Sequence, residues 1–344
     1  MSDNHLQFQF GHGRNFIGDG YRSLLLSDNG FNYPFFKIKT TFWNIQYMNL
    51  FTQMRRVTGV SAVSFPKKYT SIHYLNWNVN KRLSIGFFEG VVYQDSTGVR
   101  GYEVDYLNPL IFYRSVEFAI GSAGGNALMG INVKYKLTDL LTVYGQFVLD
   151  EFAADRNFGG QNSWANKFGY QLGLKSFNTF YVPNLTVQSE INWVRPYTYT
   201  HLDPLQNYAH YNQALAHPLG ANFFESVTHV RYHYKRWFAE AELMYANTGQ
   251  DSLGSNWGTD LFQSYDTREQ EFDNLVGQGV NTKILYADLK VGYLVNPSYN
   301  LRFEVGYSYR RFSPEVETID VQASTMHYFQ VGVYSALQNI YYDF

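Results

Sequence analysis

Residues 11–28 hold the densest set of side chains able to do chemistry. His12, Arg14, Asp19, Tyr21 and Arg22 stand among Gly11, Gly13, Gly18 and Gly20. Closely spaced glycines permit backbone angles and close approaches that other residues resist. The charges between them could grip a ligand or a partner, or tie a Gly-rich loop to a neighbouring wall through Arg–Asp bridges. The segment is not a phosphate loop, because the Gly-Lys-Ser/Thr ending is missing, and no strand–helix unit surrounds it to make a dinucleotide site.

Residues 195–221 form a second concentration: Arg195, Tyr197, Tyr199, His201, Asp203, Tyr208, His210, Tyr211 and His217. Aromatic rings stack on sugar faces, and His, Asp and Arg hydrogen-bond hydroxyls or carboxylates, so this composition suits a polysaccharide-binding loop. It suits equally an aromatic cap over a barrel mouth. Trp164, after residues 153–163, has the same character. Residues 248–281 carry Asp251, Asp260, Asp266, Glu269, Glu271 and Asp273. No Asp-x-Asp-x-Asp-Gly pattern accompanies them, so a solvated or lipopolysaccharide-bridging loop is expected rather than a calcium site. His201, His210 and His217 are too scattered for zinc, and no H-E-x-x-H occurs. No metal and no cofactor are expected.

Enzymatic constellations are weak. Ser71 and His73 share a face by parity, but no third member can be assigned; Ser226 and His229 fall on opposite faces. No G-x-S-x-G elbow exists. Glycosidase carboxylates could come from any two loop acids. The expectation is a protein that is not an enzyme.

These segments need a scaffold, and composition bounds it. There are 30 Tyr, 28 Phe and 6 Trp, and no Cys, which excludes disulfides, thiolate metal sites and Cys nucleophiles. The net charge of −2 argues against nucleic acid as the main partner, which requires a basic face. No apolar run is long enough for a transmembrane helix, and MSDNHLQFQF shows no leader pattern.

Period-two alternation recurs throughout, and helical periodicity is nearly absent. About 14 segments read as strands: 5–10, 34–42, 45–57, 68–79, 82–93, 128–136, 140–152, 164–176, 184–194, 222–234, 236–247, 282–295, 299–312 and 325–337. Many are long enough to cross a bilayer when tilted. Connections alternate between short (80–81, 138–139, 235, 296–298) and long (94–127, 195–221, 248–281). That is the layout of an outer-membrane barrel, with short periplasmic turns and long external loops. Tyr and Trp at strand ends would form interfacial girdles. With the apolar face toward lipid, the inner face is charged and mixed in sign, which suits a salt-bridged, partly filled lumen and leaves a selective channel open. The turn at Lys235 would place Arg231 opposite Glu240 and His229 opposite Glu242. The turn at Pro297 would place Lys290 opposite Glu304.

The stretch GHGRNFIGDGYRSLLLSDNGFNYPFFKIKTTFW resembles the start of the barrel in the Wzi-type capsule-assembly family, most of all its Bacteroidetes members of the RemB gliding-motility type. Residues 108–118, Gly121 to Gly130 and the Tyr341-Tyr342-Asp343-Phe344 end support the resemblance, which spans residues 8–344. The terminal Phe also resembles the recognition signal of outer-membrane barrels. The resemblance implies a Gram-negative outer-membrane barrel at the cell surface that holds or organises capsular polysaccharide without being an enzyme. It also implies a longer natural protein, with a leader and further N-terminal sequence.

The expected architecture is therefore all-β: one transmembrane outer-membrane β-barrel over 1–344, with segment 11–33 at the mouth or in the lumen. Ligand-contact candidates are His12, Arg14, Asp19, Tyr21, Arg22, Trp164, Tyr197, Tyr199, His201 and Tyr211. Expected partners are outer-membrane lipid, lipopolysaccharide and a capsular or other surface polysaccharide. A structural component of gliding or secretion machinery, and a diffusion porin, are the other readings.

Overall fold

The computed structural model describes residues 5–57, 65–94, 104–108, 125–151 and 162–335. The C-terminal Tyr341–Phe344 signal, residues 109–124 and residues 153–161 lie outside the described residues, so the expectations placed on them are not addressed.

The strands, in chain order, are β1 (Leu6–Gly13), β2 (Tyr33–Phe42), β3 (Ile45–Arg55), β4 (Lys67–Asn78), β5 (Leu83–Gln94), β6 (Asn126–Lys136), β7 (Leu141–Glu151), β8 (Lys167–Phe177), β9 (Leu185–Val194), β10 (Ala209–His210), β11 (Gln213–Ala214), β12 (Phe223–Tyr234), β13 (Trp237–Gln250), β14 (Val280–Asn296), β15 (Leu301–Pro314) and β16 (Ser324–Tyr334). Fourteen of them make one antiparallel meander, each paired with its sequence neighbour; β10 and β11 form a separate small hairpin. β1 and β16 end the ladder, and among the described residues neither has a second partner. No described helix is long and apolar enough to cross a membrane.

Alternation sets the two faces. On β12 Phe223, Glu225, Val227 and His229 are buried, whereas Phe224, Ser226, Thr228 and Val230 are only half-buried. Outward positions elsewhere are apolar and exposed, among them Leu172, Leu243, Leu289, Val305 and Val331. Phe42, Trp43, Trp77, Phe177, Tyr234, Trp237 and Tyr299 lie exposed at the short-turn rim. Amphipathic rings at that level are what a bilayer interface selects.

One sector departs from the pattern. The outward positions Asn49, Ser71, His73 and Glu89 on β3–β5 are polar and buried. Above them Tyr106 stacks on Tyr93 at 4.1 Å, and the Ser71 hydroxyl donates to the Tyr106 carbonyl at 2.8 Å.

The register bears out two of the three expected cross-strand pairs. His229 stands opposite Glu242 and Arg231 opposite Glu240. Lys290 does not face Glu304: it pairs with Gly306, and Glu304 with Gly292. A bulge between Leu294 and Asn296 and a turn centred one residue later shift the register by two. Parity survives, so the charges stay inward, but each finds a partner on its own strand: Lys290 with Asp288 at 3.1 Å and Arg302 with Glu304 at 2.7 Å.

The inner face is not empty. Segment 14–32 leaves the top of β1, crosses the inward side chains of β6–β12 and returns to β2. Ile17 and Leu26 bridge as an antiparallel pair. Ser23 closes the turn: its hydroxyl donates to the Ile17 carbonyl at 2.5 Å and accepts from the Leu25 and Leu26 amides. That turn drives Leu24, Leu25 and Leu26 into a core with Leu128, Val148, Val194 and Leu215.

Candidate functional site

Two carboxylates on the inner face hold segment 14–32 in place. Glu190 of β9 accepts the Tyr21 amide at 2.8 Å, the Arg22 amide at 3.1 Å, and the Tyr144 hydroxyl at 2.9 Å. Glu225 of β12, with no exposed side-chain surface, accepts Arg22 Nη2 at 3.0 Å, His217 Nε2 at 2.7 Å and Asn192 Nδ2 at 3.0 Å. A buried charge is tolerable when it is paired or hydrogen-bonded on most sides: Glu225 has ion-pair partners in Arg22 and His217, and Glu190 is held by hydrogen bonds. Gly20 makes the approach possible: a Cβ there would lie 2.6 Å from Glu190 Oε2 and 2.7 Å from Gln171 Oε1.

Lower in the segment, Asp19 meets Lys134 Nζ at 2.6 Å and Asn132 Nδ2 at 2.9 Å, while its carbonyl accepts Lys175 Nζ at 2.6 Å. The Arg–Asp tethers expected for this loop thus exist in kind. The partners are wall residues, with Arg22 on a glutamate and Asp19 on a lysine.

The free side of the segment borders a cleft of about 610 Å³, lined by Arg14, Phe16, Tyr21, Arg22, Asp28, Asn29 and Gln188. The Arg22 guanidinium lies 4.8 Å from the Tyr21 ring centroid, and the His229 ring is tilted against Tyr21 at 4.0 Å. Arg14 is exposed and donates to the Asp28 carbonyl at 2.8 Å. Three sequence candidates therefore converge here: Arg14, Tyr21 and Arg22. Asp19 lies against the wall, and His12 is exposed on β1 opposite Pro34.

Three tyrosines of segment 195–221 turn into the molecule, which fits the expected aromatic cap rather than an open polysaccharide-binding loop. Tyr197, Tyr199 and Tyr208 have no exposed surface. Their hydroxyls donate to main-chain carbonyls: Tyr197 to Asn256 at 2.7 Å, Tyr199 to Leu24 at 2.8 Å, and Tyr208 to Leu25 at 2.8 Å. Burial raises the pKa of the Tyr199 and Tyr208 phenols well above the ordinary value, so both stay neutral donors. In this arrangement neither the Tyr197 nor the Tyr199 ring has a face for a sugar. Arg195 binds two other loops at once, through the carbonyls of Ser163 and Asn166 in one and of Asn274 in the other.

The remaining candidates are dispersed. Trp164 packs against Tyr265 at 4.7 Å and against the Arg268 guanidinium at 4.4 Å, with its Nε1 donating to Glu271. His201 caps the Asp203 amide, and Tyr211 packs edge-on to Phe31 at 5.6 Å. The three loop histidines do not gather, and no metal-holding group exists among the described residues. Ser71, the hydroxyl sharing a face with His73, is committed to a backbone carbonyl.

Sequence reasoning missed Glu190, Glu225, Gln146 and Gln171 as anchors. Parity places them on the inward face, but only the fold brings residues 19–24 onto them.

No family model matches the chain, and no curated protein matches it. Solved structures do. Wzi of Escherichia coli, described as an outer-membrane protein involved in group 1 capsule assembly and a carbohydrate-binding β-barrel, superposes with a TM-score of 0.63 at 13% identity. The fold is that of an outer-membrane β-barrel. The match covers 94% of this chain and 66% of Wzi, so the chain spans just under two thirds of that protein. OccAB2 of Acinetobacter baumannii matches with a TM-score of 0.51 at 8% identity, over 97% of this chain and 75% of that one. At such identities the likeness concerns the fold. The finer resemblance to RemB-type members has no counterpart in these matches.

Proposed function

We propose that this protein is a non-enzymatic outer-membrane component that binds capsule-like polysaccharide from its long-connection rim, which faces the cell surface. The observation that carries the reading is the cleft beside segment 14–32. There a tyrosine ring, two guanidiniums and amide groups of Asn29 and Gln188 converge on a rigid, carboxylate-anchored floor. Rings supply stacking area for sugars, while guanidiniums and amides supply directed donors. The carbohydrate binding ascribed to Wzi, which shares the fold, supports the same reading. The packed leucines of segment 14–32 weigh against free diffusion as the main activity, because solute passage would require displacing them.

The test is a calorimetric titration of the detergent-solubilised protein with capsular polysaccharide from its source organism, with an unrelated neutral polysaccharide as control. Saturable binding that weakens about tenfold in Arg14→Ala, equivalent to about 1.4 kcal/mol, supports the cleft as the site. Absence of heat with either glycan, at protein concentrations that would detect millimolar affinity, rejects the reading.

A further inference from the structure

The outward face of the wall carries cations at one end only. Strand parity, fixed by exposed apolar residues such as Leu243, Leu289 and Val305, turns most lysines and arginines of the described strands to the inner side. Arg55 of β3, Lys67 of β4, Lys283 of β14 and Arg311 of β15 take outward positions instead. All of these stand at the long-connection end. The cations of the opposite rim, Lys81, Arg82, Lys235 and Arg236, lie in turns between strands rather than on the wall.

Lys283 and Arg311 are diagonal neighbours. Lys283 faces Ser313 and Arg311 faces Leu285, which puts their Cβ atoms about 7 Å apart, close enough for two long side chains to meet one phosphate. Both are exposed, and Arg311 Nε donates to Ser313 Oγ at 3.0 Å. Neither makes an ion pair among the described residues. The acids of β12–β16, Glu225, Glu240, Glu242, Asp288 and Glu304, all face inward. Glu315, exposed just beyond the end of β15, pairs with neither cation.

Their height is that of a membrane boundary. Trp237, Tyr293 and Phe303 stand in register near the short turns, the first two rings 5.0 Å apart. Lys283 is ten residues from Tyr293 along β14. With strands tilted by about 35–45°, that is about 25 Å of height, the extent of an outward apolar band. The outward positions between are uncharged: Val291, Leu289, Ala287 and Leu285 on β14, and Val305, Tyr307 and Tyr309 on β15. A cation facing lipid is costly at mid-membrane and almost without cost at the interface. Lys67 and Arg55 have no open wall beneath them, because Tyr69, Ser71 and His73 are buried and the Ser71 hydroxyl is held by the Tyr106 carbonyl.

We propose that Lys283 and Arg311 clamp a phosphate of lipid A, the membrane anchor of lipopolysaccharide, whose acyl chains descend over Leu285, Ala287 and Tyr309. The clamp rests on the orientation in the reading above, with the long-connection rim at the cell surface, but not on glycan binding; the cleft lies on the other side of the wall. In that orientation the boundary beside Lys283 belongs to the outer leaflet, which in a Gram-negative outer membrane is lipopolysaccharide. Two unpaired cations above an exposed apolar wall follow the polarity of that lipid, with phosphate at the boundary and acyl chains below. Cations at a headgroup surface contribute attraction individually.

Native mass spectrometry of the detergent-purified full chain tests the clamp, with lipid A, phosphatidylglycerol and phosphatidylcholine added separately at equal concentration. Lipid A should be retained in preference to both phospholipids. Arg311→Gln should lower that retention about fivefold, and Lys283→Gln/Arg311→Gln about tenfold or more. Arg310→Gln, the same change one residue away on the inner face, should leave it unaltered. Orientation is read separately. The chain has no Cys, so Leu253→Cys, exposed on a long connection, should react with a membrane-impermeant maleimide on intact cells. Equal retention of lipid A and phosphatidylglycerol, undiminished retention by the double variant, or equal losses in Arg310→Gln and Arg311→Gln would overturn the clamp and leave the glycan reading standing. Labelling only after lysis would overturn the orientation, and both proposals with it.

Discussion

Arg22 and Glu225, 203 positions apart in sequence, meet as a two-point ion pair: Nη2 lies 3.0 Å from Oε1 and Nε lies 3.4 Å from Oε2. The pair joins the segment that fills the inner face to the strand wall, and Glu225 is fully covered. Removing one member of such a pair strands a charge without water, which costs about 3–5 kcal/mol. Glu225→Ala is therefore expected to lower unfolding free energy by that order. Arg22→Met should cost less, since His217 and Asn192 still serve Glu225. Arg22→Met/Glu225→Ala should cost less than the two single losses added together, and equilibrium urea unfolding of the four proteins in detergent measures the coupling.

The leucine turn rests on a complementary gap in the wall. Gly130 of β6 is where Leu25 enters: a Cβ there would collide with the Leu25 side chain and lie 2.8 Å from the Phe147 carbonyl. Leu25→Ala removes a fully buried side chain, for which about 2–5 kcal/mol is expected. Gly130→Ala should also destabilise. Their double variant should cost less than the two losses added together, because the truncated Leu25 gives the new methyl room on one side. Additive losses in the same unfolding assay would mean the two positions do not touch.

Tyr199 and Tyr208 hold the leucine turn from above by donating to the carbonyls of Leu24 and Leu25. Tyr199→Phe and Tyr208→Phe keep the ring and remove the donor, leaving a buried carbonyl unpaired at about 1–3 kcal/mol each. If the rings instead served as sugar platforms, Phe would keep stability and alter only glycan affinity. Thermal unfolding of each variant separates the two roles.

Those tyrosines also show where sequence stops being informative. Strand positions were legible because alternation reports one-sided burial, which each strand declares locally. Arg231–Glu240 was legible because a tight turn at Lys235 fixes register by counting. Lys290–Glu304 was not, because the turn closes beyond Pro297, between Asn296 and Leu301, and a bulge then shifts the count again, neither marked by a side-chain pattern. For Tyr199 and Tyr208 the residue type itself is ambiguous: a ring with a hydroxyl suits a sugar face and a buried carbonyl equally well. Which one it meets depends on where segment 14–32 lies, and that is set by Glu190 and Glu225 on strands far away in sequence.

His210 gives the fold a pH dependence with a definite sign. It is 2% exposed, accepts the Arg55 amide at Nδ1 and approaches the Asn32 carbonyl through Nε2. Burial, chiefly, lowers its pKa from 6.5 to about 4. A folded pKa below the unfolded one means that the unfolded chain binds the proton more readily. The stability it contributes is complete above about pH 6.5 and is lost as pH falls toward 4, at up to about 1.4 kcal/mol per pH unit. Tm measured from pH 7.5 to 4 should fall for the wild type. His210→Gln, which lowers Tm at neutral pH by weakening those two bonds, should show a shallower fall over the same range. Parallel curves would mean that His210 titrates as it does in the unfolded chain. The contact between Arg55 and segment 195–221 would then have to be held by other groups.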